Sequence, residues 1–316
     1  MLHCMNDTPL LDPVFDTPES LAQILDAHPD FRVLRRLQPA RQFGHKAPRE
    51  AVRRVAVLDT ETTGLDARRD RIIELAMVLV DVDVTTGKAV KVVEVFDELE
   101  DPGMPIPEAA RRVTGITDEM VSGKRLDDEK VRALLSGVEL VIAHNARFDR
   151  GFVEARFPFF AEVPWACSVS EVDWQAEGRG SAKLEFLAYE LGFFYDAHRA
   201  EMDCHALLAV LAAPLPQSGE TGLKVLWGKA QRVTHRVMAT GSPFESKDVL
   251  KERGYRWDAE RKVWHTTVSD DLALTAECEW LKAHVYKGRS ARLDVERVTA
   301  LERHSPRGGV VTQQAI

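Results

Sequence analysis

Three strand patterns follow one another between Val52 and Phe96, and this succession constrains the fold more than any other feature of the sequence. Val52 to Leu58 is apolar-rich, and a turn falls between Gly64 and Asp70. The apolar-rich run Ile72 to Val84 then leads through the hairpin signal Thr85-Thr86-Gly87 into a third strand, Ala89 to Phe96. Three consecutive antiparallel strands are expected. Pro102-Gly103-Met104-Pro105-Ile106-Pro107 breaks the chain, a helix follows, and Leu140 to Ala143 reads as a buried strand. Helices over Ala182 to Leu191 and Glu201 to Ala213 complete a pattern that predicts an α/β domain, a mixed sheet covered by helices.

Acidic residues and a histidine sit where these elements begin or end. Asp59 and Glu61 stand two apart at the end of the first strand, so both carboxylates leave the same face. Asp149 lies in His144-Asn145-Ala146-Arg147-Phe148-Asp149, directly after the apolar run Val138 to Ala143, and His198 precedes Asp203 at the start of the last helix. Taken singly, each cluster has a plain structural reading. These are solvated acids at a strand end, Asn145 as a helix N-cap with Asp149 on the first solvated turn, and a surface histidine near an acid. Taken in order within one α/β pattern, they point to a shared site. Four carboxylates gathered in one place repel unless cations hold them. Two divalent ions about 3.5–4 Å apart can stabilise both the attacking and the leaving oxygen of a phosphodiester displacement.

The order and spacing resemble the DEDDh exonucleases, the superfamily that includes the proofreading epsilon subunit of bacterial DNA polymerase III. The resemblance covers roughly residues 52–213 and rests on Asp59-Thr60-Glu61-Thr62-Thr63-Gly64-Leu65, on the His144 to Asp149 motif, and on His198 with Asp203. Val113 to Val121 is also similar to the family. The resemblance implies a ribonuclease-H-like fold and a metal-dependent 3′–5′ exonuclease. Such an enzyme releases nucleoside monophosphates from a nucleic-acid 3′ end, here expected to be DNA and preferably single-stranded. It further implies two divalent ions, Mg2+ or Mn2+, held by Asp59, Glu61, Asp149 and Asp203. Asp59 would bridge both ions, Glu61 and Asp203 would complete the tighter site, and Asp149 would help hold the second. His198 is the expected general base, since an imidazole with a pKa near 6.5 accepts a water proton around neutral pH. Thr62, Thr63 and Leu65 would meet the terminal nucleotide, with Leu65 wedged against the last base; Asn145 is a substrate candidate that fits better as a helix cap. A DNA polymerase or repair protein is the candidate protein partner. An RNA-directed exonuclease and a non-catalytic polymerase or repair adaptor are the competing readings.

At 316 residues the chain exceeds the usual single domain, and a hydrophobic fraction of 45% supports a real core. No run of about 18 apolar residues occurs, and Met1 to Asp7 lacks the basic and apolar regions of a signal peptide, so a cytoplasmic protein without membrane contact is expected. Cys4, Cys167, Cys204 and Cys278 are too scattered for a disulfide scaffold and are expected to be reduced thiols. The net charge of −8 is unevenly spread. Residues 217–316 hold 17 Lys+Arg against 13 Asp+Glu, which leaves 25 against 37 for residues 1–216. Bound divalent ions would reverse the local sign in the acidic part, so a polyanionic substrate is not excluded, whereas broad coating of duplex is disfavoured.

The sequence divides into an N-terminal extension (1–50), the exonuclease-like domain (51–213), a Pro- and Gly-rich linker (214–222), a small α+β module (223–305) and a flexible tail (306–316). The extension suggests a helix near Ser20 to Ala27, followed by Arg32, Arg35, Arg36 and Arg41. In the module, Thr234 to Ala239 reads as a strand, Ser246 to Arg253 as a helix ended by Gly254, and Tyr255 to His265 as a hairpin with Tyr255 and Trp257 on one face. This hairpin resembles small modules appended to bacterial DNA-processing proteins and, more loosely, the annealing-helicase accessory domain. Two roles are open for Tyr255, Trp257 and Trp264: stacking on bases beside Arg256, Arg261 and Lys262, or forming the core of the module.

Overall fold

The computed structural model describes residues 17–316, so Cys4 and the rest of 1–16 lie outside the described residues. The described residues open with α1 (Pro18–Asp26), β1 (Arg35–Arg36), β2 (Val52–Thr62), β3 (Ile72–Asp83), β4 (Lys88–Leu99), α2 (Glu108–Thr114), α3 (Asp118–Val121) and α4 (Asp128–Leu135). It continues through β5 (Val138–Ala143), α5 (Ala146–Arg156), β6 (Trp165–Cys167), α6 (Ser168–Glu171), α7 (Leu184–Glu190), β7 (Phe193–Phe194), α8 (Ala200–Ala212) and α9 (Gly222–Ala230). The remainder is β8 (Thr234–Met238), α10 (Lys247–Glu252), β9 (Arg256–Asp258), β10 (Val263–Val268), α11 (Asp271–His284), β11 (Arg292–Val298) and β12 (Val310–Ala315). Among the described residues, no helix is long and apolar enough to cross a membrane.

The first sheet has the order β4-β3-β2-β5-β6, with β2, β3 and β4 antiparallel and β5 and β6 parallel to β2. Alternate residues of a strand face opposite sides. Val55, Val57 and Val78 therefore pack with Leu187, Leu207 and Leu226 of α7, α8 and α9, while Ala56, Leu58 and Met77 pack with Val131 and Phe152 of α4 and α5. With both faces covered, β3 is buried at every position. Asp59 and Glu61 extend the Val55–Val57 series, so the backbone aims both toward α8.

The stretch expected to be a linker is instead packed against this unit. Leu215 is buried, Pro214 bridges Thr221, and the Thr221 hydroxyl donates to the Gly87 carbonyl at 2.7 Å while capping α9. Gly87, at φ +74°, must be glycine here, because a Cβ would fall 2.3 Å from Thr221 Oγ1. Leu223 and Leu226 of α9 join the core of the first sheet, so that core extends to α9 rather than stopping at residue 213. Pro, Gly and polar residues describe a tight, capped loop as well as a tether.

The second sheet, of order β12-β11-β8-β10-β9, is antiparallel throughout and packs Val237, Leu293 and Val295 against Leu250 of α10 and Leu281 and Val285 of α11. The expected flexible tail contains β12, paired with β11 from Arg297↔Val310 to Arg292↔Ala315. This strand is almost wholly exposed, so backbone hydrogen bonds hold it and no apolar alternation announces it. Tyr255 and Trp257 also part company: Tyr255 is buried with its hydroxyl on Glu277 Oε1 at 3.0 Å, whereas Trp257 is 50% exposed.

Buried contacts lock the two units together. Arg150, fully buried on α5, donates to the carbonyls of Ala300 (3.2 Å), Leu301 (2.5 Å) and Arg303 (2.6 Å) and pairs with Glu154 at 2.6 Å. The Trp165 N–H of β6 donates to the Ala300 carbonyl at 2.9 Å, and Arg303 and His304 both reach Glu171. On the other side, the N-terminal extension packs on the first unit: β1 pairs with β7, Gln42 bridges Lys91, and Arg32 donates to the Tyr189 and Glu190 carbonyls.

Candidate active site

The end of β2 and the first turn of α8 bring Asp59, Glu61 and Asp203 together, with one carboxylate oxygen from each within 4.8 Å of the others. Asp149 approaches the same strand end from the α5 side. Its Oδ1 accepts the Thr60 backbone N–H at 3.1 Å and the Thr60 hydroxyl at 2.9 Å, so it stands beside the three-carboxylate group rather than within it. It remains electrostatically close, being the strongest charge acting on Asp59.

These acids hold their protons unusually tightly. Burial, then the charges of Asp149, Asp203 and Glu61, pushes the Asp59 carboxyl well above the usual range. Burial and the charges of Asp203 and Glu74 push Glu61 up to about 8. Burial raises Asp149 to about 7 against the opposing hydrogen bonds from Thr60, and raises Asp203 against those from Tyr195 and the backbone of Arg199 and His198. A set of oxygen donors this short of positive charge fits hard divalent cations, which prefer carboxylate ligands.

Three further residues shape the site without having been singled out by motif. The Tyr195 hydroxyl donates to Asp203 Oδ1 at 3.0 Å, and the Arg199 N–H donates to Oδ2 at 3.1 Å. Glu74, opposite Glu61 on β3 and 1% exposed, accepts the Ala200 N–H at 3.0 Å and pairs with the Arg199 guanidinium at 2.7 Å. It thereby anchors the start of α8 and the position of Asp203. A single carboxylate in the apolar run from Ile72 to Val80 was a signal for this role; Tyr195 had none beyond its nearness to His198. A cavity of about 490 Å³ adjoins the site through Glu74 and Arg199, with Asp97, Lys124 and Arg125 on its wall. Burial and the charge of Glu74 raise Asp97 to about 6.

The two histidines differ. His198 is exposed on the loop before α8 with a left-handed backbone (φ +64°), close enough to Asp203 to help lower its pKa. His144 follows β5 with Nδ1 2.8 Å from Ser168 Oγ, and burial pushes it down to about 4, which suits a neutral structural role. Thr62 donates its hydroxyl to the Gly64 carbonyl (2.6 Å) and Thr63 accepts the Arg71 N–H (3.0 Å), so both hydroxyls are used inside the turn. Leu65, at the tip of that turn, is 87% exposed. Asn145 precedes α5 but makes no side-chain cap; at φ +68° it lacks the extended backbone that a capping side chain needs. Cys204 is buried with its thiol toward the Ala76 carbonyl, and Cys167, Cys204 and Cys278 are free thiols.

The family model described as Exonuclease (RNase_T) matches residues 56–211. The DNA polymerase III subunit epsilon of Treponema pallidum is 31% identical over 159 residues, covering 48% of this chain and 71% of that protein. The PolC-type DNA polymerase III of Listeria monocytogenes is 39% identical over 103 residues, 32% of this chain; the chain spans only 7% of the length of that relative. Among solved structures, Exonuclease X in complex with 5′ overhanging duplex DNA is 28% identical and aligns with 54% of this chain and 97% of its own, at a TM-score of 0.42. The residues that place Asp59, Glu61, Asp149, His198 and Asp203 all fall inside the matched segment, and the chain belongs to the DnaQ-like DEDDh 3′–5′ exonuclease family.

Proposed function

We propose that this protein is a divalent-metal-dependent 3′–5′ exonuclease that removes nucleoside monophosphates from DNA 3′ ends, in the cytoplasm, in proofreading or repair beside a DNA polymerase. The observation that carries the proposal is the convergence of Asp59, Glu61 and Asp203, with Asp149 beside them on Thr60. Asp59, Glu61, Asp203 and Asp149 would hold the ions, with Mg2+ as the metal of choice and Mn2+ as its substitute. Bound ions would supply an activated water and neutralise charge on the leaving oxygen. An imidazole nitrogen of His198, exposed on the loop before α8, would take the water proton. The Tyr195 hydroxyl and the Arg199 N–H fix both oxygens of Asp203. Leu65 would present its exposed apolar side chain to the terminal base, and the backbone at Thr62 and Thr63 would meet the same nucleotide.

One labelled strand in DNA and in RNA form, each with Mg2+ or with chelator, tests the proposal. Monophosphate release from the DNA 3′ end only with metal is expected, and His198→Ala should cut turnover by ~10²–10⁴-fold while calorimetry still detects metal binding. Faster release from RNA would make the enzyme RNA-directed. No release from either strand would leave the fold serving as an adaptor.

A further inference from the structure

The second unit carries an exposed row in which aromatic rings and lysines interleave. Phe244, 77% exposed just before α10, has Lys247 Nζ 4.7 Å from its ring centroid. Lys251, one turn further along α10, sets its Nζ 5.8 Å over Trp264 of β10. Trp264 in turn lies 5.5 Å from Trp257, its cross-strand partner on β9. Phe244, Lys247, Lys251, Trp264 and Trp257 thus form one continuous row from the start of α10 to the open edge of the sheet.

Folding accounts for Trp264, which packs against the core of this unit, but not for the exposed members of the row. Like charges four residues apart on a helix repel, and among the described residues Lys247 has no ion-pair partner while Lys251 has only Asp248, at 4.0 Å. Arg256, beside Trp257, and Lys262, in the β9–β10 turn, likewise have none among the described residues. Other aromatics of this unit are satisfied internally: Tyr255 and Trp280 stack on each other at 6.3 Å and Arg253 covers Trp280. Phe244 and Trp257 are left with ring surface in water.

We propose that this row binds a single nucleic-acid strand, with bases stacked on Phe244 and Trp257 and phosphates beside Lys247, Lys251 and Arg256. Aromatic platforms interleaved with cations grip single strands without regard to sequence, because every base has a stacking face. A duplex hides those faces and gains little from the row. The inference rests on the exonuclease reading for the class of polymer, yet its test needs no hydrolysis.

The test is fluorescence anisotropy of labelled oligothymidylate with the full-length protein in chelator. Trp257→Ala and Phe244→Ala should each weaken binding of a strand of about 30 nucleotides by roughly 5- to 150-fold. Trp257→Phe, which keeps a ring, should restore most of the affinity. Lys247→Gln with Lys251→Gln should lower the slope of log affinity against log salt by about 1.4, the contribution of two phosphates on a single strand. Hydrolysis of a very short oligonucleotide in Mg2+ should stay at the wild-type rate in every variant. Unchanged affinity in Trp257→Ala and Phe244→Ala at unchanged melting temperature overturns the proposal, as does equal preference for duplex of the same length. Tight strand binding by a protein that hydrolyses nothing would sink the exonuclease reading and leave this one standing.

Discussion

The sheet that carries the carboxylates has both edges covered, whereas the second sheet leaves β9 open. On one side of the first sheet, β4 receives Gln42 and the Arg41 and Phe43 backbone from the N-terminal extension; on the other, the Trp165 N–H of β6 is taken by Ala300. Covered edges and covered faces leave only strand ends for chemistry, and that is where Asp59 and Glu61 emerge. An unpaired edge is a liability that proteins normally blunt. In the second sheet the short β9 offers Trp257 and Arg256 to solvent instead. Rigid burial would suit the proposed carboxylate site, whose like charges must stay close despite their repulsion; an open edge would suit the proposed strand-binding surface.

The largest expected effect comes from uncovering the first sheet. Ending the chain at Pro214 removes Leu223 and Leu226 from the core and leaves the buried Arg150 without its carbonyl partners, so cooperative unfolding should be lost. Leu226→Ala in the full chain should cost about 2–5 kcal/mol by urea denaturation. A Pro214-terminated protein that unfolds like the whole chain would break the comparison, because the covered edge would then be dispensable.

Next in size is the chemistry at the strand ends. Asp59→Ala or Asp203→Ala should remove at least ~10³-fold of exonuclease activity, as expected for groups that hold charge-stabilising ions. Circular dichroism should report an intact fold. The melting temperature of the metal-free variant should rise, since less repulsion remains. Near-wild-type hydrolysis by either variant would move the reaction elsewhere.

The smallest effect is a pH dependence confined to the metal-free protein. Glu61 rises from 4.5 to about 8 and Asp149 from 3.8 to about 7, so each binds its proton more tightly when folded. The associated stability is fully present below about pH 4 and is lost as pH rises through 7 and 8. Thermal melts across that window in chelator should fall, and Mg2+ should flatten the slope. Equal slopes with and without metal would mean that the ions do not bind these carboxylates.

Most of the first unit was legible because its signals are periodic. The run from Val52 to Phe96 specified three antiparallel strands, and the alternation through Val55, Val57, Asp59 and Glu61 already placed both acids on one face. What alternation does not encode is a contact made through the backbone, such as Asp149 on the Thr60 N–H or β12 beside β11. Composition misled at Pro214 to Gly222, where Leu215 and Thr221 turn a Pro- and Gly-containing stretch into packed structure. It was also silent on Asn145, whose left-handed backbone sets its side chain away from the cap that its type suggests. Tyr255 and Trp257 look alike in sequence; only the placement of α11, with Glu277 waiting for the Tyr255 hydroxyl, separates a core residue from an exposed one.

Arg150 immediately follows Asp149 on α5, and its guanidinium is sunk into the carbonyls of residues 300–303. Asp149, held on Thr60 of the first unit, and its neighbour in the chain are therefore tied to different units of the protein, through a desolvated charge that is costly to free. The tie behaves like the fixed jaw of a caliper and would hold the proposed strand-binding row and the proposed carboxylate site at a set separation. A strand too short to span both points engages only one of them. Processing of a shortening strand should then slow at a threshold length that measures the span between β9 and the end of β2, and continue below it at the slower rate of short oligonucleotides.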